Sequence, residues 1–196
     1  MSKVFGKAVL LLAALAVVFM LSACNKSGKE QGPGGELMPV FSQQADLMEN
    51  SLKSDPKNAS LLIQLGNLYY DWGEAENSKP GGNPMVKWSA AVDYYRRALD
   101  IEPNNVDVRV DMANLLRYMN RAQDAVTEYR QAIKINPKHP QARINLVLTL
   151  GEDRKDKKAM EKEYEDLLKA IPEQKSNLAL KQQVDTLKGQ SGGASK

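Results

Sequence analysis

Pro103 and Pro137 stand 34 residues apart, and the chain before each carries the same spacing. Ala91, Tyr95 and Ala98 precede the first; Ala125, Tyr129 and Ala132 precede the second. A 34-residue period closed by proline holds two helices and a turn, and such a unit cannot bury its apolar face alone. It must stack on its neighbours. The constraint is therefore towards a row of helix pairs, whose extended surfaces bind other polypeptides far more often than they run reactions.

The clearest unit spans 106–137. Met112, Ala113 and Leu116 mark one face of its first helix, and Ala125, Tyr129 and Ala132 one face of its second, at the spacing of amphipathic helices. Ala113 and Ala125 are small enough to let the two helices approach. Asn120 lies in the turn, where asparagine tolerates a left-handed backbone, and Pro137 ends the second helix because the residue before proline is pushed out of the helical region.

The preceding unit, 59–103, has Leu62, Leu65, Gly66 and Tyr69 in its first helix, with Gly66 at the close-contact point, and Ala91, Tyr95 and Ala98 in its second. Gly66 to Ala91 is 25 residues where Ala113 to Ala125 is 12, so the unit carries 13 extra residues. The Pro-Gly-Gly-Asn-Pro core of 74–87 cannot continue a helix, so the reading is a loop inserted at 74–87. Trp72 and Trp88 flank it, and Trp88 is expected to pack.

The third unit, 140–172, is weaker. Arg143, Leu146, Val147 and Leu150 fit a first helix, and Met160, Tyr164, Leu167 and Pro172 a second with one extra turn residue. Val147 and Met160 stand where the small pair would be. The charge run 152–158 reads as a solvated turn. A lone helix at 38–54 precedes the units, and 176–188 follows them with Leu178, Leu180, Val184 and Leu187 on one stripe, a capping helix with a polar outer face.

These units resemble tetratricopeptide repeats. The resemblance implies an all-α superhelix (an α-solenoid) of about three repeats plus capping helices, occupying 38–188. It also implies a concave groove lined by the first helix of each unit, off its packing stripe. Carried onto this chain, the groove residues are Ser60, Ile63, Asn67, Tyr70 and Asp71, then Asp107, Val110, Asn114, Arg117 and Tyr118, then Gln141, Ile144, Asn145 and Leu148. Asn67, Tyr70, Asp71, Asn114, Arg117, Tyr118 and Asn145 are the candidate partner-binding residues. Asn67 and Asn114 hold equivalent places, and an amide that both donates and accepts can pair with peptide backbone of any sequence. Family members that bind chaperones hold a terminal carboxylate with groove lysines and arginines. Here Ile63, Gln141 and Asn145 occupy those places, so the carboxylate clamp is missing.

The other strong signal is at the N-terminus. Lys3 and Lys7 precede an apolar run of 14 residues, 8–21, short of the about 20 needed to cross a bilayer but suited to a secretory signal peptide. It ends in Leu21-Ser22-Ala23-Cys24, which resembles the lipobox of bacterial lipoproteins. That resemblance implies cleavage after residue 23, lipidation of Cys24, and, with Asn25 rather than aspartate following, the outer membrane over the inner. Residues 24–37, rich in glycine, read as a flexible tether, and 189–196 as a disordered tail.

Net charge is +3 on 27 bases and 24 acids, with no basic stripe interleaved with aromatics, which argues against nucleic acid. His139 is the only histidine and Cys24 the only cysteine, too few for a metal site, and no phosphate loop, nucleophile triad or zinc-protease motif occurs. No enzyme activity, cofactor or small-molecule substrate is expected. The function expected is a lipid-anchored envelope scaffold or adaptor binding a protein or peptide in its groove, as in similar lipoproteins that act as secretin pilotins, outer-membrane assembly subunits or hydrolase adaptors. The alternatives are a periplasmic chaperone-like module for secreted or apo-cytochrome clients, and a purely structural subunit of an outer-membrane assembly.

Overall fold

The same turn is written at the start of each repeat. Asn58, Asn105 and His139 each donate their backbone N–H three residues back, to Asp55, Glu102 and Asn136, closing turns with Pro56, Pro103 and Pro137 inside them. Each then caps the next helix: the side chains of Asn58, Asn105 and His139 accept the N–H of Leu61, Val108 and Ala142 at 2.9, 3.2 and 3.2 Å. A side-chain acceptor at this position satisfies one of the helix's orphan donors. Arg109 and Arg143, again 34 apart, reach back to the carbonyls of Pro103 and Pro137.

The computed structural model describes residues 37–189, all within one compact unit, 34–196. Its helices, in order, are α1 (Leu37–Ser54), α2 (Ala59–Asn77), α3 (Met85–Ile101), α4 (Val106–Tyr118), α5 (Ala122–Ile135), α6 (Pro140–Leu148), α7 (Lys157–Ala170) and α8 (Leu178–Gly189). A π-helical turn, Thr149–Asp153, extends α6, and a 3-10 turn, Pro172–Ser176, leads to α8. The segment read as a signal peptide, Cys24, most of the segment read as a tether, and residues 190–196 lie outside the described residues.

Packing follows chain order: α2 on α3, α4 on α5 and α6 on α7 within hairpins, and α1 on α2, α3 on α4 and α5 on α6 between them. Ala91, Ala113, Ala125 and Ala132 are fully buried, so the small residues do sit where helices meet. Gly66 is tighter still, since a Cβ there would lie 2.5 Å from Tyr95 Cε1. Asn120 has φ 59°, the left-handed turn residue expected. At the N-terminal end, Phe41, Trp72, Tyr69 and Tyr94 form a stacked row, and Glu49 accepts hydrogen bonds from both Tyr69 (2.7 Å) and Tyr94 (2.8 Å), pinning α1 to α2 and α3.

Four expectations need correction. The inserted segment 74–87 is half helix: α2 continues to Asn77 and α3 begins at Met85, leaving 78–84 as loop. Residues 74–77 are compatible with helix. The break falls only where Pro80 restricts Lys79 and Gly81 turns left-handed at φ 73°. The first hairpin therefore has longer arms, 19 and 17 residues against 13 and 14 in the second. Trp88 fills the extension, buried against Gly73, where any Cβ would overlap its ring.

In the charge run, Glu152 and Asp153 are not merely solvated. They belong to the π-helical turn and both bind Arg117 of α4, while Gln183 of α8 donates to Glu152. In the third hairpin the small contact residue is Gly151, where a Cβ would lie 2.5 Å from Met160 Sδ, so large Val147 and Met160 are both accommodated at zero exposure. Finally, α8 starts at Leu178 behind Asn177, which caps it, and the buried stripe is Leu180, Val184 and Leu187, with Leu178 75% exposed.

Candidate functional site

Stacking the hairpins brings one face of α2, α4 and α6 side by side. On α4 that face carries Asp107, Asp111, Asn114 and Tyr118, at intervals of four, three and four residues, a single helical stripe. A cleft of ≈ 370 Å³ opens where it meets α2, lined by Asn67, Tyr70, Asp71, Tyr95, Asp111, Asn114 and Tyr118. A second of ≈ 180 Å³ adjoins it towards α6, lined by Asn114, Arg117, Tyr118, Gln141 and Asn145. Asn114 and Tyr118 belong to both. All seven candidate residues named from sequence line one cleft or the other.

The repeat period also sets the floor. The buried hydroxyls of Tyr95 and Tyr129 each donate to an asparagine carbonyl across the hairpin, Tyr95 to Asn67 and Tyr129 to Asn114, both at 2.7 Å. The burial that pushes both phenols above their ordinary pKa keeps them neutral donors. Asn114 accepts a second bond from the Asn145 amide, also 2.7 Å, which occupies both lone pairs of its carbonyl. This changes what the asparagines can offer. Asn114 can only donate to a ligand, through its NH2; Asn67 keeps its NH2 and one remaining lone pair.

Two of the groove positions, Arg117 and Asp107, are paired with side chains of this chain. Arg117, 23% exposed, forms ion pairs with Glu152 and Asp153, which raise its pKa against the lowering effect of burial. The charge read as a ligand contact instead ties α4 to the turn after α6. Asp107 accepts from His139 Nε2 at 3.0 Å. Because His139 Nδ1 accepts the Ala142 N–H, the neutral tautomer with its proton on Nε2 satisfies both bonds at once. His139 is thus a cap and an inter-repeat tie.

Four of the wider groove positions are packing positions. Val110 is 3% exposed within the core, and Ile63, Ile144 and Leu148 are partly buried against it. An apolar side chain beside the groove gains more by closing the seam between hairpins than by facing water. Conversely, sequence reasoning missed Tyr95 and Asp111 as lining residues. Asp111 shares a helical stripe with Asn114 and Tyr118, so the spacing held the signal.

The cleft is acidic. Partial burial raises the Asp71 carboxyl pKa; for Asp111 burial raises it most, the Asp107 charge adds, and His139 opposes. Both side chains remain accessible to solvent. Tyr118, 53% exposed, leans on Trp88 with ring centroids 6.3 Å apart and forms an aromatic lip. Among the described residues no cluster of three potential ligands could hold a metal ion, and no helix is long and apolar enough to cross a membrane.

Residues 87–142, from α3 through the whole second hairpin into α6, match a family model described as Tetratricopeptide repeat. With the hairpin order and repeated turns, this defines the class of fold: an all-α stack of tetratricopeptide-type helix pairs. Among solved structures, the crystal structure of MamA protein is similar at 19% identity, over 72% of this chain and 89% of that one, with a TM-score of 0.44. The first tetratricopeptide domain of Spaghetti, bound to an HSP90 peptide, is similar at 16% identity over 64% and 94% of the two chains, with a TM-score of 0.48. A MamA mutant follows at 16% identity, covering 76% and 68%, with a TM-score of 0.46. No curated protein matches the chain.

Proposed function

We propose that the protein is a lipid-anchored scaffold of the bacterial envelope that holds an extended segment of a partner protein across the two adjoining clefts. The observation that carries this reading is the convergence of Asn67, Tyr70, Asp71, Asn114, Tyr118 and Asn145, from three successive hairpins, on one continuous surface. The NH2 groups of Asn67 and Asn114 have no protein partner among the described residues and are positioned to donate to backbone carbonyls. Such contacts hold an extended chain whatever its sequence, while Tyr70 and Tyr118 supply apolar area at low entropic cost. The anchor rests on the sequence alone, Leu21-Ser22-Ala23-Cys24 behind a charged and then apolar leader, and the outer membrane rests on Asn25.

The test separates anchor from groove. Tyr70→Ala with Tyr118→Ala removes the exposed aromatic walls yet leaves the buried tyrosine–asparagine bonds intact. Capture of the partner in cells by crosslinking should fall at least about tenfold, the loss of about 1.4 kcal/mol, with helicity kept. Undiminished capture would put the partner elsewhere. Cys24→Ala should leave unprocessed precursor without lipid label, and normal processing would remove the anchor.

A further inference from the structure

The cleft between α2 and α4 has a chemistry that a generic peptide groove does not need. Asp71 comes from α2 and Asp111 from α4, and the charges of both bear on the hydroxyls of Tyr70 and Tyr95 between them. Among the described residues neither carboxylate has an ion-pair partner within 4 Å, and the nearby basic side chains are already paired: the Arg117 cation with Glu152 and Asp153, and the His139 ring with Asp107. Tyr70, Tyr95 and Tyr118 line the same space. Two carboxylates without counter-ions, facing a formed space walled by aromatic rings, match a cation that gains both Coulomb and ring-face attraction.

We propose that this cleft receives a lysine or arginine side chain of the partner segment, so that the protein recognises a basic sequence rather than an acidic C-terminus. The inference rests on the groove reading above and deepens it. Asn67 and Asn114 hold the segment's backbone beside the cleft, and the side chain enters between Asp71 and Asp111. A free polyamine would offer similar charge, but the amide donors beside the cleft fit a peptide carbonyl, which a polyamine lacks.

The experiment uses the full chain in detergent, with amide and side-chain NMR shifts read during titration of four probes: N-acetyl-arginine methylamide, its neutral isostere N-acetyl-citrulline methylamide, N-acetyl-glutamate methylamide and spermidine. The arginine probe is expected to bind about threefold to thirtyfold more tightly than the citrulline probe, the range two accessible carboxylates supply. Its shifts should centre on the side-chain amides of Asn67 and Asn114. In Asp71→Asn with Asp111→Asn, which keeps shape and removes charge, the preference should vanish while the melting temperature holds. Equal affinity for arginine and citrulline probes, a preference that survives in that variant, or tighter binding of the glutamate probe would overturn the proposal. Tighter binding of spermidine than of the arginine probe would overturn its polypeptide source. If Tyr70→Ala with Tyr118→Ala abolishes partner capture while the probes show no cation preference, the groove stands and only the basic-side-chain assignment falls.

Discussion

Replacing Gly66 with alanine tests the helix packing, because two general effects predict opposite signs. In an exposed helix interior the change would stabilise by about 1 kcal/mol, since glycine pays more backbone entropy. Here the new Cβ would sit 2.5 Å from Tyr95 Cε1 and 2.6 Å from Cδ1, about 1 Å inside ordinary carbon contact. The ring has little room to retreat. Tyr95 is 3% exposed and its hydroxyl is held by Asn67 at 2.7 Å. Overpacking a filled core costs about 1–3 kcal/mol, and a displaced ring also loses a hydrogen bond worth about 1 kcal/mol. The net effect is a loss of about 1–3 kcal/mol. At this size that lowers the melting temperature by about 3–10 °C. Thermal and urea unfolding followed by far-ultraviolet circular dichroism measures it. In a Tyr95→Phe background, where the ring is no longer pinned, the penalty should shrink by about 0.5–1.5 kcal/mol, a coupling a double-mutant cycle isolates. A Gly66→Ala protein as stable as its parent, or more so, would refute the packing argument.

Stability should also decline at high pH. Burial first, then the hydrogen bond and charge of Glu49, raise Tyr94 from 10.0 to about 12, and Tyr69, Tyr95 and Tyr129 are raised too. Their neutral forms contribute fully below the unfolded value near 10, and that contribution is lost as pH rises from there through about 12 for Tyr94 and higher still for the other three. The urea midpoint should therefore drop between pH 9 and about pH 12; a flat profile would contradict these assignments. His139→Ala should cost about 0.5–2 kcal/mol through the lost cap, and His139→Asn, which can cap but not reach Asp107 in the same way, should recover most of it in the same unfolding assay. Equal losses in both variants would mean that the tie to Asp107, not the cap, carries the effect.

The repeat was legible because its marks are local. The Pro-containing turns, the capping residues three positions before an amide, and the alanines at helical spacing all act within a few residues of themselves. What was hidden depends on distant partners. The Tyr95–Asn67 and Tyr129–Asn114 bonds cross a hairpin, so the tyrosines read as packing and the asparagines as free amides, although each pair is one device. Arg117 read as a ligand contact because Glu152 and Asp153 lie 35 and 36 residues away, in a segment that looked like solvated turn. The loop within the insertion was read as too long for a different reason: glycine and proline mark where a helix must stop, not how far its flanks can continue, and residues 74–77 and 85–87 carry no breaker. Asp111 could have been found, because it lies on the stripe of Asn114 and Tyr118.

The proposed seat of the partner is the pair of clefts that share Asn114 and Tyr118. A photo-crosslinking phenylalanine analogue placed at Tyr118 in cells, with the same analogue at Leu178 on the exposed start of α8, tests it most directly. A partner seated in the clefts should give one dominant protein adduct from position 118, absent from position 178 and lost when Asp71→Asn and Asp111→Asn are added. Adducts of the same protein from both positions, or from position 178 alone, would contradict it.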